Sequence, residues 1–169
     1  MNRVRLAGHA LHPMLVVFPL GLLASSLAWD IAYLASGKPM WGEVGFWSII
    51  AGLIGAAVAA VPGLLDWLAI DRRTRAWGVG LYHLLLNVVV LTLFVVSAAL
   101  RYAHDYSHPI LGAQAIGWVG IGFAIVSGWF GGELVERLGV GVYERANLDA
   151  PSSLGRSGRG PTPVTPVRT

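Results

Sequence analysis

Two histidines, three carboxylates and one side-chain amide stand inside the most apolar stretches of this chain. An ionisable side chain within a lipid bilayer is costly unless it pairs or binds something, so each one is a functional hypothesis. Imidazole and carboxylate groups bind divalent metals, and two histidines from different helices suit the axial positions of a b-type haem. The six residues are His12, Asp30, Asp66, His83, Asn87 and Glu133.

The elements that must position these residues are four apolar stretches, at 11–34, 44–70, 76–100 and 110–135. About 20 predominantly apolar residues cross a bilayer core as a helix. Only 12% of the 169 residues are charged, whereas soluble domains average about 25%. We therefore predict an all-α integral membrane four-helix bundle over residues 1–146. Residues 147–169, rich in Ser, Gly, Pro and Arg, are predicted to be a disordered tail.

The basic residues predict how the bundle is oriented. All but two of the 12 Lys and Arg residues lie near the chain ends or in the loop after the second stretch; the exceptions are Lys38 and Arg101. Positive residues favour the cytoplasmic side. The first stretch is longer than the apolar region of a cleavable signal peptide, so it is interpreted as a retained span. We expect a multi-pass protein of the bacterial cytoplasmic membrane with both termini in the cytoplasm.

Helical spacing groups the polar residues onto faces. His12 and Asp30 are eighteen residues apart, about five turns, and so share a face that either points into the bundle or ends at water on both sides. His83 and Asn87 are one turn apart and adjacent on one face. Asp66 shares a face with small residues, which favours an inward position or pairing with an arginine. The candidate partners are Arg72, Arg73 and Arg137, the last of which also lies near Glu133.

Alternating spans place four of these residues, one from each helix, at a similar depth near the cytoplasmic end: His12, Asp66, His83 and Glu133. Two cofactors stay open at this point. A b-type haem would use His12 and His83 as axial ligands, with the other polar groups around it, and a divalent metal would use all four residues. A weaker polar set lies on the opposite side: Asp30, Glu43, His104, Asp105 and His108.

Several classes of site are excluded by the residues present. The chain has no cysteine, which excludes disulfides, thiolate metal sites and cysteine nucleophiles. The serines lack the G-x-S-x-G context of a nucleophile elbow, and no nucleophile–base pair is visible, so an enzyme acting alone is not expected. The basic tail has no interleaved aromatic residues, so no nucleic-acid partner is expected. We detect no clear internal repeat.

The motifs on the four spans resemble those of the bacterial membrane protein family known as domain of unknown function 2231. The similar blocks are 12–22 (HPMLVVFPLGL), 62–67 (PGLLDW), His83 with Asn87, and 131–135 (GGELV). The resemblance covers residues 9–143 and implies a four-helix inner-membrane protein. Relatives joined to redox domains imply electron transfer. The family pattern often has a histidine where Val17 stands, and that departure weakens a metal or haem site.

Three functions follow as hypotheses. The first is a haem-binding or redox-associated membrane subunit, with a redox partner protein or a second copy as its partner. The second is a module that binds or transports a proton or divalent cation. The third is a structural subunit without a cofactor, in which the polar residues only hold helices together within the lipid bilayer.

Overall fold

The computed structural model describes residues 4–143 and 146–153. Four helices are long and apolar enough to cross a membrane: α1 (Leu11–Ser36), α2 (Pro39–Leu68), α3 (Arg75–Ala103) and α4 (Leu111–Gly132). A π turn, Glu133–Arg137, continues α4. The predicted all-α fold with four apolar spans is therefore confirmed. The predicted disordered tail lies outside the described residues from position 154 onward.

Local signals explain where the first two helices meet. Gly37 ends α1 in a left-handed conformation (φ 64°), and its N–H donates to the carbonyl of Tyr33 at 2.8 Å. Glycine adopts this conformation without steric cost. Pro39 then occupies the first turn of α2, where its missing N–H would have no helical partner. Helix α2 consequently begins at residue 39, ahead of the apolar stretch that predicted it from residue 44.

A short β-hairpin precedes α1 and was not predicted from the sequence. Strands β1 (Arg5–Leu6) and β2 (His9–Ala10) are antiparallel. The hairpin lies beside residues that follow α4, because the Arg5 guanidinium stands 5.7 Å from the centroid of the Tyr143 ring. The two ends of the described chain therefore lie at the same end of the bundle, as an even number of spans requires.

The bundle is built from two helical hairpins, α1–α2 and α3–α4, each packed more closely within itself than against the other. Helices α1 and α3 face each other across the centre. The core at mid-height is apolar: Leu23, Phe46, Ile49, Val90, Phe94 and Ala98. Polar clusters lie above and below it. The histidine end contains His12, His83 and Asn87, and the ion-pair end contains Asp30, Arg101 and Gln114.

Candidate functional site

At the histidine end, His12 is fixed by the neighbouring helix of its own hairpin. Its Nδ1–H donates to the carbonyl of Ala59 at 2.8 Å. The ring lies flat against Gly63, where an added Cβ would come within 2.7 Å of Nδ1, so only glycine leaves room for it. Because Nδ1 carries the proton, Nε2 keeps its lone pair. The structure gives that nitrogen no hydrogen bond within the described ranges.

His83 is held by the second hairpin in the same way. Its Nδ1 lies 2.9 Å from the carbonyl of Ser127, to which it donates, and the Ser127 hydroxyl is 3.1 Å away. The ring packs against Gly131, with Cε1 3.2 Å from an ideal Cβ position. Asn87 adds a contact that His12 lacks, because its amide donates to Nε2 of His83 at 3.1 Å and to the His83 carbonyl at 2.8 Å.

The two histidine rings meet at the centre of the bundle. Their centroids are 6.5 Å apart and their planes are nearly perpendicular, at 83°. Both rings are partly buried, and in both Nδ1 is used by a backbone carbonyl; Nε2 of His83 accepts from Asn87, whereas Nε2 of His12 has no such partner among the described residues. A carbonyl bonded to Nδ1 fixes the tautomer and orientation of an imidazole that can then bind a metal through Nε2.

The two carboxylates predicted at this depth have other partners. Asp66 accepts the backbone N–H of Val4 at 3.1 Å, and Glu133 pairs with Arg75 at 2.7 Å, not with Arg137. Residues 4–143 and 146–153 contain no group of three or more His, Cys, Asp or Glu side chains placed to hold a metal. The structure thus brings together His12, His83 and Asn87 and leaves Asp66 and Glu133 at the rim.

The ion-pair end holds the most buried charges of the described chain. Asp30 and Arg101 are 1% and 0% exposed, and their two hydrogen bonds, from Nη1 to Oδ1 and from Nη2 to Oδ2, are both 2.7 Å. The Trp118 indole N–H also donates to Asp30 Oδ2 at 3.0 Å, and Nε of Arg101 donates to the Ser97 hydroxyl at 3.3 Å. Bidentate pairing of this kind satisfies both charges where water is excluded.

A buried glutamine on α4, Gln114, lies at the ion-pair end but makes no side-chain hydrogen bond to the described residues there. The Gln114 side chain is 0% exposed, and neither its Nε2 nor its Oε1 has a hydrogen-bond partner among the described residues. Gln114 lies one turn before Trp118, on the same face of α4. A buried unpaired amide costs about 1–3 kcal/mol for each unsatisfied group.

Sequence reasoning missed the role of Arg101. Arg101 lies in the last turn of α3 and is fully buried. Of the two positions that the sequence left open for Asp30, the structure has the inward one, with Pro19 and Ser26 of α1 also buried. Two features of the sequence could have indicated this role. Arg101 is a lone basic residue at the end of an apolar span, and Asp30, on another span, needed a positively charged partner.

The remaining residues of the predicted outer set lie in or near the exposed loop after α3. His104, Asp105 and His108 are exposed. Hydrogen bonds from Ser107 and then from His108 lower the pKa of the Asp105 carboxyl below its ordinary value. Glu43 is exposed on α2. The described residues of this loop therefore form a local turn beside the ion pair.

Comparison with protein families agrees with this architecture. The family model described as predicted membrane protein DUF2231 matches residues 8–144. The chain belongs to the DUF2231 family. The match begins just before His12 and ends after the π turn, so it includes both the histidine end and the ion-pair end of this DUF2231 protein. No curated protein and no solved structure matches the chain.

Proposed function

We propose that this multi-pass membrane protein binds a b-type haem between His12 and His83 and serves as a redox-associated membrane subunit. The observation that carries the proposal is the pair of imidazoles, each with Nδ1 donating to a backbone carbonyl and with ring centroids 6.5 Å apart. Two imidazoles at this spacing are close enough for one metal ion or haem iron to be held between them.

The residues present fit the axial positions after two adjustments. Asn87 must release Nε2 of His83, and it keeps its bond to the His83 carbonyl when it does so. The porphyrin ring needs space between α1 and α3. These helices belong to different hairpins, and the contact between hairpins is looser than the contact within each. Parting the hairpins at the histidine end is therefore the change that makes room.

Each residue then has a defined task. The Ala59 and Ser127 carbonyls hold the two rings in the tautomer that presents Nε2, and Gly63 and Gly131 let the rings lie against the helices. A bound haem would supply one-electron transfer. Asn87 is the polar group next to His83, and Asp66 and Glu133, at the rim, would be proton-handling groups; Asp66 also accepts the Val4 N–H.

An absorption spectrum of the full chain in detergent, before and after haem addition, tests the proposal. We expect a Soret band that is lost in both His12→Ala and His83→Ala and retained in His104→Ala, a matched control at an exposed histidine. The idea fails if the protein stays colourless after haem addition, or if neither inner alanine variant changes the band.

A second candidate function is structural, and the Asn87 contact favours it. With Asn87 donating to Nε2 of His83, each ring nitrogen of His83 already has a partner. In that case His83→Gln lowers thermal stability while no cofactor is ever detected. A divalent cation bound by the same two Nε2 atoms is the third candidate. Elemental analysis of the purified protein, repeated with His12→Ala, distinguishes it from the other two.

A further inference from the structure

The two helical hairpins bury equivalent positions, although their residue types differ. Buried residues of α1 are Pro19, Leu23, Ser26 and Asp30. A shift of 71 residues, the separation of Asp30 from Arg101 and also of His12 from His83, leads to four residues of α3. All four are buried: Val90, Phe94, Ser97 and Arg101.

Helices α2 and α4 correspond in the same manner, with a shift of 68 residues (59 to 127). Buried residues of α4 are Ala113, Gln114, Gly117, Gly120 and Ser127. Their counterparts in α2 are all buried too: Gly45, Phe46, Ile49, Gly52 and Ala59. Every buried residue of α1 and of α4 therefore has a buried counterpart in the other hairpin.

The contacts repeat along with the burial. His12 binds the Ala59 carbonyl and packs on Gly63, while His83 binds the Ser127 carbonyl and packs on Gly131. The same two shifts relate these contacts.

A second contact repeats in the apolar core. Gly52 faces the Leu23 side chain and Gly120 faces Phe94. Each hairpin runs out and back, so the two are related by an approximate two-fold axis along the bundle. That axis passes between His12 and His83 and between Asp30 and Arg101.

We propose that the inner face of each hairpin is a pairing surface whose partner is a hairpin of the same build with the opposite charge at the axis. The pairing surface of the first hairpin consists of His12, the buried residues of α1 and those of α2 given above. Position 30 and position 101 meet at the axis, so two copies of one hairpin would place Asp against Asp or Arg against Arg. Opposite charges select the mixed pair and disfavour like pairs.

The serines beside the axis give the proposal a specific consequence. Nε of Arg101 donates to Ser97, four residues earlier, and the first hairpin has a serine at the equivalent place, Ser26. When Asp30→Arg is combined with Arg101→Asp, the guanidinium at position 30 therefore has the Ser26 hydroxyl nearby as a hydrogen-bond acceptor. The Trp118 bond to Asp30 is not reproduced, because its counterpart is Ile50.

The experiment measures the folded, monodisperse fraction and the thermal midpoint of the full chain in detergent. Asp30→Arg alone and Arg101→Asp alone should each lower the folded-to-unfolded ratio on the order of a thousandfold or more, since each leaves like charges buried at the axis. The double reversal should recover most of that loss. Ser26→Ala should lower the midpoint of the double reversal more than it lowers the midpoint of the natural sequence.

Two results would overturn the proposal. One is a double reversal as poorly folded as the single reversals, which would mean that positions 30 and 101 are not interchangeable. The other is a folded double reversal in which Ser26→Ala has the same effect as in the natural sequence and Ser97→Ala is the more damaging of the two. The uncharged combination Asp30→Asn with Arg101→Gln serves as a control. The difference between its folded fraction and that of the double reversal gives the part of the recovery that comes from charge.

Discussion

The two ends of the bundle use equivalent positions in opposite ways. At the histidine end the axis-related residues are the same, His12 and His83, and each is satisfied by its own hairpin through a backbone carbonyl. At the ion-pair end they are opposite charges, Asp30 and Arg101, and each is satisfied by the other hairpin. Because the two histidines are held separately, Nε2 of His12 keeps its lone pair, and Nε2 of His83 is engaged by Asn87 alone. Unlike residues that bind each other fasten the two halves together.

The largest loss of stability is expected when one charge is removed at the ion-pair end. Arg101→Leu leaves Asp30 buried without its bidentate partner, and breaking a buried pair in this way costs about 3–5 kcal/mol. We expect a large drop in the thermal midpoint in detergent. The matched control replaces both residues, Asp30→Leu with Arg101→Leu, and should restore stability because no lone charge remains. Equal damage in both variants would contradict the role given to the pair.

Gln114 tests whether the ion-pair end is built for stability alone. Its unsatisfied amide occupies the position that Phe46 fills in the other hairpin. Gln114→Leu should raise stability by about 1–2 kcal/mol, because a buried polar group without a partner is replaced by an apolar one. Differential scanning measurements on the natural protein and the variant provide the check. A loss of stability would instead indicate that the amide is bonded to ordered water.

Asn87 sharpens the comparison from the histidine end, because it is where the two histidines differ. Its counterpart in α1 is Val16. Asn87→Val frees Nε2 of His83, and the loss of one hydrogen bond, worth about 0.5–1.5 kcal/mol, corresponds to roughly 2–10-fold tighter haem binding. Titration followed at the Soret band measures the change. Weaker binding would show that Asn87 supports the ligand.

The smallest expected effect lies in the loop at the ion-pair end. The pKa of Asp105 is lowered mainly by the hydrogen bond from Ser107. A lowered pKa means that its contribution is present above the ordinary aspartate range and is lost as the pH falls through the folded value. Ser107→Ala should move the carboxyl titration toward its ordinary value, as read by NMR. The bundle's thermal midpoint at neutral pH should barely change, since Asp105 and its partner His108 are exposed.

Hydropathy predicts much of this fold, because it identifies the four spans. The helices extend at most a few residues beyond the apolar stretches. The shared face of His12 and Asp30 followed from helical period alone. The partner of Asp30 did not follow, because a basic residue at the end of an apolar stretch, close to Pro109, is typical of an interface. The burial of Arg101 depends on Asp30 of α1 and on the approach of Gly45 of α2, which no local pattern reveals.

The repeat was invisible for a related reason. Equivalent positions share burial and contacts, but several differ in residue type: Leu23 corresponds to Phe94, Phe46 to Gln114, and Asp30 to Arg101. A bundle core is defined by which positions face inward and by the volumes that fit together. The residue types alone give neither the inward-facing positions nor the matching volumes until the helices are placed in space. Depth alone likewise did not indicate the partners of Asp66 and Glu133, which are the Val4 N–H and Arg75, because depth does not fix direction around a helix.

The β1–β2 hairpin and the residue before it contact residues that lie much later in the chain. Val4 binds Asp66, Arg5 lies over Tyr143, and Gly8 lies against Ser153. During synthesis the contacts of Asp30 and Arg101 become available once Trp118 has emerged from the ribosome. The contacts of the β1–β2 hairpin with Tyr143 and Ser153 become available only after that. The ion-pair end therefore has its partners before the β1–β2 hairpin has all of its own, which leaves the end that carries His12 and His83 open for longer.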